Sequence, residues 1–426
     1  MEKPSIVLVF TDIAGYIRRI EIESINSVEN IESSVDGSSI PGYGHVEFSD
    51  IIVKPLLSSF INLTGINGKL VYVSELYTPS RKRHPYDPRK ILEEVVKYYM
   101  EKGIEIKTGI ELEFYLTRDV KVYLGKKRQL LSINAMENSS SIGVSKVYAS
   151  LLDERVDQVI KQARTVFSNS NLHIYKIHRE NGFLSQYEIS LQACDPISIA
   201  DRTILSIVAL REIAFSMGYR ANFMPKPFPE DYGNGLHVHI SLWNKGKNMF
   251  LENSELSDIA RYFIGGILEH ASSLAAFTNP SINSYRRLIE GYEAPVYIAW
   301  GIGNRTTMIR VPMGNSSIEI RNPDPSMNPY LGLSAILMAG ITGVEKKIEP
   351  SEPVTFNLYS KATRNIKSLP RSLEEALEHL ANDHEYLKPV FSEDFIQTYI
   401  DIKIKEAKKA RSIPTIIDYA MLHHLY

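Results

Sequence analysis

The stretch Gly109-Ile110-Glu111-Leu112-Glu113-Phe114 places two glutamates at positions i and i+2 of a run that otherwise holds glycine and large apolar residues. Such alternation is typical of a β-strand, in which side chains two positions apart point to the same face of the sheet. Two adjacent carboxylates repel each other unless a cation lies between them. The stretch therefore predicts either an exposed strand face or a metal site on a sheet, and by itself it leaves both open.

Other strand-like stretches repeat this pattern of polar side chains on one face. Their polar members are Glu180 and Glu188, then His237, His239 and Ser241, then Glu319 and Arg321. A single histidine pair is more often structural than metal-binding, but several strands with polar residues on one face are hard to bury without a shared purpose. Carboxylates with imidazole and no thiolate favour a hard divalent ion, Mg²⁺ or Mn²⁺, over zinc.

Arginines supply the opposite charge in the segment from 286 to 321. They are Arg286, Arg287, Arg305, Arg310 and Arg321. The planar guanidinium group binds phosphate or carboxylate through two parallel hydrogen bonds. Metal ligands beside arginines indicate phosphoryl transfer. The sequence contains no Gly-x-x-x-x-Gly-Lys loop, so a nucleotide has to be held in another way.

Composition limits the class of protein. The chain has 426 residues, 44% of them hydrophobic, and a net charge of -2. This length predicts two unequal domains, and the near-neutral charge argues against a nucleic-acid or membrane partner. The only cysteine, Cys194, allows no intrachain disulfide. No apolar run approaches the roughly 20 residues of a membrane span, so we expect a cytoplasmic protein.

The chain divides near residue 95. Short β-branched stretches before it predict a small mixed sheet, and proline and basic residues cluster between 79 and 89. A helix is predicted from Pro88 to Gly103, because apolar residues recur at helical spacing and Pro and Gly take their favoured ends. Beyond it, strands alternate with helices. We predict an α+β fold with a small domain over residues 1–95 and a large catalytic domain over residues 96–426.

Taken in order, these residues and several short motifs resemble the glutamine synthetase family, from about Val7 to the C-terminus. The motifs are Asp36-Gly37-Ser38-Ser39-Ile40, Ser49-Asp50, Glu111-x-Glu113-Phe114, Glu180 with Gln186-Tyr187-Glu188, Phe223-Met224-Pro225-Lys226-Pro227, Gly235-Leu236-His237-Val238-His239-Ile240-Ser241-Leu242, Asn283-Ser284-Tyr285-Arg286-Arg287-Leu288, Gly291-Tyr292-Glu293-Ala294-Pro295, Asn304-Arg305, Arg310-Val311-Pro312, Pro323-Asp324-Pro325 and Ser372-Leu373-Glu374-Glu375-Ala376-Leu377.

The resemblance implies ATP- and metal-dependent ligation of the glutamate side-chain carboxylate to ammonia, through γ-glutamyl phosphate, to give glutamine, ADP and phosphate. It implies two or more ions of Mg²⁺ or Mn²⁺ per site. The ion nearer the substrate is assigned to Glu113, Glu180 and Glu188. The ion nearer the nucleotide is assigned to Glu111, His237 and Glu319.

The same resemblance implies roles for the remaining site residues. Arg287 and Arg321, with the backbone at Gly233, are assigned to the substrate glutamate, and His239 and Ser241 are assigned to ATP. Arg305 and Arg310 are assigned to the transferred phosphate. Asp36 is assigned to ammonium, with Tyr148 and Ser39 nearby, and Glu293 is assigned to the closing flap. It also implies a small N-terminal β-grasp-like domain and a homo-oligomer of two stacked hexameric rings, because the Asp36 loop is useful only in a neighbour's site. The apolar stretch 414–426 fits such a contact.

Three departures from the family pattern limit the resemblance, and the second of them removes a possible phosphate contact. Tyr232 stands where the family commonly has asparagine, Ser316-Ser317 stand where an arginine is usual, and the family's Gly-Tyr-Phe segment is not clear around Tyr148. Two alternatives therefore remain open beside glutamine synthesis. One is a γ-glutamyl-amine or polyamine ligase of the same family, and the other is a weakly active or non-catalytic regulatory paralogue.

Overall fold

The N-terminal part of the chain forms a five-stranded mixed sheet. The computed structural model describes residues 3–23, 28, 31–44, 46–124, 129–135, 147–148, 154–170, 172–253, 255–314, 316–360 and 365–413. The strands of the small sheet are β1 (Ser5–Thr11), β2 (Ile17–Ile22), β3 (Ser33–Asp36), β4 (Asp50–Leu63) and β5 (Lys69–Tyr77). Their order is β2-β1-β5-β4-β3, and β1 and β5 run parallel while the other neighbours are antiparallel. The small sheet domain expected from the sequence is therefore present.

A ten-stranded sheet carries the rest of the described strands except one hairpin. Its strands are β6 (Glu105–Leu124), β7 (Gln129–Ala135), β8 (Ile174–Arg179), β9 (Gln186–Cys194), β10 (Arg220–Asn222), β11 (Leu236–Asn244), β12 (Lys247–Asn248), β15 (Trp300–Ile302), β16 (Ile309–Val311) and β17 (Ile318–Ile320). The hairpin is β13 (Leu251–Glu252) with β14 (Glu255–Leu256). The main path of the sheet is β15-β16-β17-β11-β6-β9-β8.

Helices cover this sheet and extend beyond it. They are α1 (Thr64–Asn67), α2 (Pro88–Glu101), α3 (Glu154–Ser168), α4 (Pro196–Ser216), α5 (Asp258–Glu269), α6 (Ala271–Thr278), α7 (Ser284–Arg287), α8 (Pro329–Lys346), α9 (Leu373–Asn382) and α10 (Glu393–Arg411). Helix α8 is apolar on all sides, and every residue from Pro329 to Gly343 is buried. A helix of this kind belongs in the middle of a core.

Helix α2 joins the two parts of the chain. The Asp87 side chain accepts a hydrogen bond from the Arg89 N–H and caps the helix, and Pro88 takes its first turn, as the sequence predicts. The Tyr99 hydroxyl donates to the Leu337 carbonyl at 2.6 Å, so the helix packs against α8. The division at residues 95 and 96 falls inside α2, whose whole length is thus tied to the catalytic helices.

Two further points concern the surroundings of the fold. No helix among the described residues is long and apolar enough to span a membrane. The stretch 414–426, expected to make a subunit contact, lies outside the described residues.

Candidate active site

Strand pairing brings the polar side chains together on one face of the large sheet. Residues that are directly opposite in antiparallel strands share a face. Three such cross-strand rows run side by side: Arg310–Glu319–His239 over β16, β17 and β11, His237–Glu111–Ser190–Lys176 over β11, β6, β9 and β8, and Glu113–Glu188–His178 over β6, β9 and β8. The shared face that the i, i+2 spacing predicts is therefore built from six neighbouring strands.

Carboxylates and imidazoles in these rows lie close enough to hold metal ions. Ligand atoms lie within 4.8 Å of one another in three groups: Glu111, Glu188 and His237; Glu111, His239 and Glu319; His178, Glu180 and Glu188. This grouping differs from the assignment by resemblance, because His178 and His239 take part. Glu113 stays close, with its Oε1 4.0 Å from His237 Nε2, while its Oε2 accepts a hydrogen bond from the Gly235 N–H at 2.6 Å.

The carboxylates in this cluster do not ionise equally. Burial, reinforced by the charge of Glu188, raises the pKa of Glu180 to about 7. Burial also raises the pKa of Glu113 to about 7, and Glu180 and Glu188 add to this. Burial acts on Glu111 in the same direction, but a hydrogen bond from His237 and the nearby imidazole of His239 outweigh it and hold the Glu111 pKa below its usual range. Negative charge is crowded here, and a bound cation would relieve it.

The predicted arginines border this cluster. Arg310 Nη1 lies 2.5 Å from Glu319 Oε2, and Arg321 Nε lies 3.1 Å from Glu319 Oε1. Arg321 also donates to the Arg305 carbonyl. The Glu319 carboxylate is 1% exposed and holds both guanidinium groups, so it positions two cations as well as belonging to a possible ligand group.

Arg287 and a glycine loop form a recess next to the cluster. Arg287 is buried, and its Nη1 and Nη2 donate to the carbonyls of Asn322 and Arg321 at 2.7 and 3.1 Å. No ion pair between Arg287 and an acidic side chain is found in the described part of the chain. A Cβ on Gly233 would lie 2.6 Å from Arg287 Cγ, so only glycine permits this approach. A buried guanidinium group without an acidic ion-pair partner makes this recess a candidate site for a ligand carboxylate.

The Glu293 segment closes over the cluster. Glu293 has φ 65°, a left-handed conformation that costs free energy in a residue other than glycine. Asn181 Nδ2 donates to Glu293 Oε1 at 2.8 Å, and the Tyr359 hydroxyl is 3.2 and 3.1 Å from the carbonyls of Glu293 and Ala294. Two side chains from other segments thus hold the flap in a strained shape.

A cavity of about 490 Å³ lies between the sheet face and the flap. The predicted site residues that line it are Glu111, Glu113, Tyr148, Glu180, Glu188, His237, Glu293, Arg305, Arg310 and Arg321. Gly233 and Arg287 line the adjoining recess together with Tyr232. His239 and Ser241 lie further along the same face of β11, outside the cavity, and Ser241 accepts a hydrogen bond from the Trp243 indole at 2.9 Å.

Asp36 and Ser39 do not line this cavity. The Asp36 carboxylate accepts hydrogen bonds from Ser38 and Ser39 within its own turn, which hold its pKa down at about 2. Both residues are exposed.

Two residues on β8 were missed by sequence reasoning. His178 Nε2 lies 3.1 Å from Glu188 Oε1, and the His178 ring lies 4.8 Å from the Tyr148 ring. Lys176 Nζ lies 3.5 Å from Glu188 Oε1. Both alternate with Glu180 along the strand, so the same i, i+2 rule that selected the other residues could have found them.

The departures from the family pattern can also be placed. The Tyr232 ring lies 6.0 Å from the Phe183 ring and 6.1 Å from the Tyr292 ring, so an aromatic wall bounds the recess. The Ser316 carbonyl accepts a hydrogen bond from Asn248 on the far side of the sheet edge. The Tyr232 side chain thus takes up space beside the recess.

Known proteins resemble this chain in both sequence and fold. The sequence model described as "Glutamine synthetase, catalytic domain" matches residues 85–422. The glutamine synthetase of Sulfolobus acidocaldarius is 37% identical over 96% of this chain and 93% of its own length, and that of Thermococcus kodakarensis is 38% identical over 89% and 84%. The solved "GmaS/ADP complex" superposes with a TM-score of 0.86 at 26% identity, over 98% of this chain and 96% of its own. The chain belongs to the glutamine synthetase family.

Proposed function

We propose that this protein ligates the side-chain carboxylate of glutamate to ammonia with consumption of ATP, through γ-glutamyl phosphate, to give glutamine, ADP and phosphate. The observation that carries the proposal is the single sheet face on which clustered carboxylates and imidazoles meet buried arginines beside a glycine-lined recess. Such a surface combines sites for divalent ions, phosphate and a carboxylate substrate.

The donor set fits divalent metal ions. Oxygen and imidazole ligands without thiolate suit Mg²⁺ or Mn²⁺, and the buried Nε2 of His239 has no hydrogen-bond partner among the described residues. We assign two or more ions to Glu111, Glu113, Glu180, Glu188, His237 and Glu319. When bound, such ions offset the charge of ATP phosphates that meet a carboxylate.

The residues of the chain position the reactants for the first half-reaction. Arg287 and Arg321 hold the substrate carboxylate in the recess, and the Gly233 backbone lies beside it. Arg305 and Arg310 border the cavity and stabilise the charge on the transferring phosphoryl group. His239 and Ser241 extend the same strand face toward the nucleotide. A carboxylate is a poor acyl donor. Transfer of the phosphoryl group from ATP to the glutamate side-chain carboxylate makes the substrate reactive.

The second half-reaction needs ammonia and the absence of water. Asp36, which is held ionised by its serine neighbours, attracts ammonium, with Ser39 and Tyr148 nearby. Glu293 contributes a second carboxylate from the flap and takes the proton that ammonium must lose before its nitrogen can attack. A closed flap keeps water from the acyl phosphate.

Asp36 is exposed and does not line the cavity of its own chain, which supports a site completed by a neighbouring subunit in a homo-oligomer. We propose a dodecamer of two hexameric rings, in which residues 1–95 of one subunit complete the site in residues 96–426 of the next. Reassembly of Asp36→Ala subunits mixed with Arg305→Ala subunits should recover part of the activity that each variant lacks, because some sites then combine an intact loop with an intact cavity. Failure to recover activity on mixing would contradict the shared site.

The proposed reaction is tested by phosphate release from ATP with Mg²⁺ or Mn²⁺ and glutamate, with ammonium compared against a panel of polyamines and monoamines. Turnover with ammonium and formation of glutamine are expected. Turnover only with an organic amine would instead identify a γ-glutamyl-amine ligase, which the aromatic wall at Tyr232 would then explain. No turnover with any acceptor would leave a regulatory paralogue and refute the proposed activity.

A further inference from the structure

Lys176 stands within the carboxylate cluster, and the ligation chemistry gives it no role. Its Nζ lies 3.5 Å from Glu188 Oε1 and 3.8 Å from Glu111 Oε1. It belongs to the same cross-strand row as Ser190 and Glu111. Ser190 is small and donates to Glu188 at 2.9 Å, which leaves the lysine stem a path over β9 to both carboxylates.

The ammonium group uses the same oxygens that a metal would use. Glu111 and Glu188 are two of the three members of the group completed by His237, whose ligand atoms lie within 4.8 Å of one another. A divalent ion in that group and an ammonium group less than 4 Å from the same oxygens repel each other. The metal and Lys176 therefore compete for these two carboxylates.

The lysine is able to leave. Its side chain is 41% exposed, whereas that of Glu188 is 4% exposed and fixed within the sheet. Lysine carries a compact charge on a flexible stem, and so it can move into water without disturbing the strand. The two glutamates, by contrast, are held by the register of β6 and β9.

We propose that Lys176 is a positioning residue that acts as the built-in counter-cation of the metal-free site. It offsets the repulsion between the Glu111 and Glu188 carboxylates when no ion is bound, and it has to be displaced when a divalent ion enters. The lysine therefore stabilises the metal-free protein and weakens its affinity for metal. The inference rests on the proposed function only in that the cluster binds a divalent ion.

The test compares the full-length protein with Lys176→Met and Lys176→Arg, and with Lys161→Met as a control on the exposed surface of α3. Mn²⁺ binding is measured by isothermal titration calorimetry without nucleotide, and the melting temperature is measured in EDTA. Loss of one partly exposed cation should lower the Kd for Mn²⁺ roughly threefold to tenfold. It should also lower the melting temperature in EDTA by about 1–3 °C. Lys176→Arg and Lys161→Met should match the wild type in both.

Tighter binding of Mn²⁺ together with lower stability of the metal-free protein makes the proposal specific. An unchanged or higher Kd in Lys176→Met, or an unchanged melting temperature in EDTA, would overturn it while leaving the proposed reaction intact. If the wild type binds no Mn²⁺, both this inference and the metal-dependent function fail. Should the methionine variant not fold, Lys176→Gln removes the same charge, and the same two results decide.

Discussion

Substitution of Gly233 by alanine tests whether the recess beside Arg287 binds the substrate carboxylate. The added Cβ would lie 2.6 Å from Arg287 Cγ and 2.6 Å from the Pro225 carbonyl oxygen, and real Cβ contacts do not fall below 3.0 Å. The Pro225 carbonyl cannot easily withdraw, because it accepts the Asn234 N–H at 2.8 Å. The Arg287 side chain must therefore shift.

The size of the effect follows from the overlap. Overpacking of this kind costs about 1–3 kcal/mol, and each 1.4 kcal/mol lost from transition-state binding is about tenfold in kcat/KM. We expect kcat/KM for glutamate to fall by roughly 10- to 100-fold, mostly through KM. The KM for ATP should change little, because His239 and Ser241, which we propose lie beside ATP, do not line this recess.

The assay is phosphate release over a series of glutamate concentrations, with thermal melting measured in parallel. The matched control is Gly65→Ala in α1, where a Cβ meets nothing within 4 Å and the alanine favours the helix. If Gly233→Ala raised the KM for ATP as much as that for glutamate, or changed neither, the assignment of the recess to the amino-acid substrate would be wrong.

Three further predictions concern the cluster and its flap. Glu319→Gln leaves the buried Arg321 and the partly buried Arg310 without their shared carboxylate. It should lower the free energy of unfolding by about 3–5 kcal/mol in a urea titration, whereas the same substitution at an exposed glutamate should leave it unchanged. Tyr359→Phe removes the hydroxyl that holds the Glu293 segment, and it should raise ATP hydrolysis without ammonium relative to glutamine formation, at a stability cost of about 1 kcal/mol. Glu113 and Glu180 have pKa values raised to about 7, so their contribution to the stability of the metal-free protein is full below pH 4.5 and lost as the pH rises through 7. Melting in EDTA should show this fall, and saturating Mg²⁺ or Mn²⁺ should reduce it; a fall of equal size with metal would contradict the role of these carboxylates as ligands.

From the sequence one can predict which side chains share a face of each strand, but not which strands lie next to one another in the sheet. Alternation in 109–114 and in 236–242 predicts which side chains point the same way, because the period of a strand is two residues. Nothing in that period says that β11 lies between β6 and β17, or that β9 follows β6. Those neighbours come from chain positions far apart, and the register that pairs His237 with Glu111 is a property of the whole sheet.

The grouping of the ligands is a prediction that the strand spacing alone does not refine. Resemblance placed His237 with Glu111 and Glu319, whereas the structure also brings His239 to Glu111 and His178 to Glu188. Distances of this kind depend on rotamers and on the twist between strands, which no spacing rule supplies. The same limit applies to Lys176, whose charge can be read from the sequence while its reach over Ser190 cannot.

The site separates groups that must stay fixed from groups that must move. The cluster carboxylates lie mainly on paired strands of the central sheet, where shifting one residue would mean shifting a whole strand. The Glu293 segment is instead held by a few side-chain hydrogen bonds, such as that from Asn181 to Glu293, and each of these breaks at a cost of about 1 kcal/mol. This division suits a reaction that requires both a rigid pattern of charges and an entrance that opens in each turnover. We therefore expect the choice of acceptor amine to depend on the Glu293 segment and on Tyr232 rather than on the strands of the sheet.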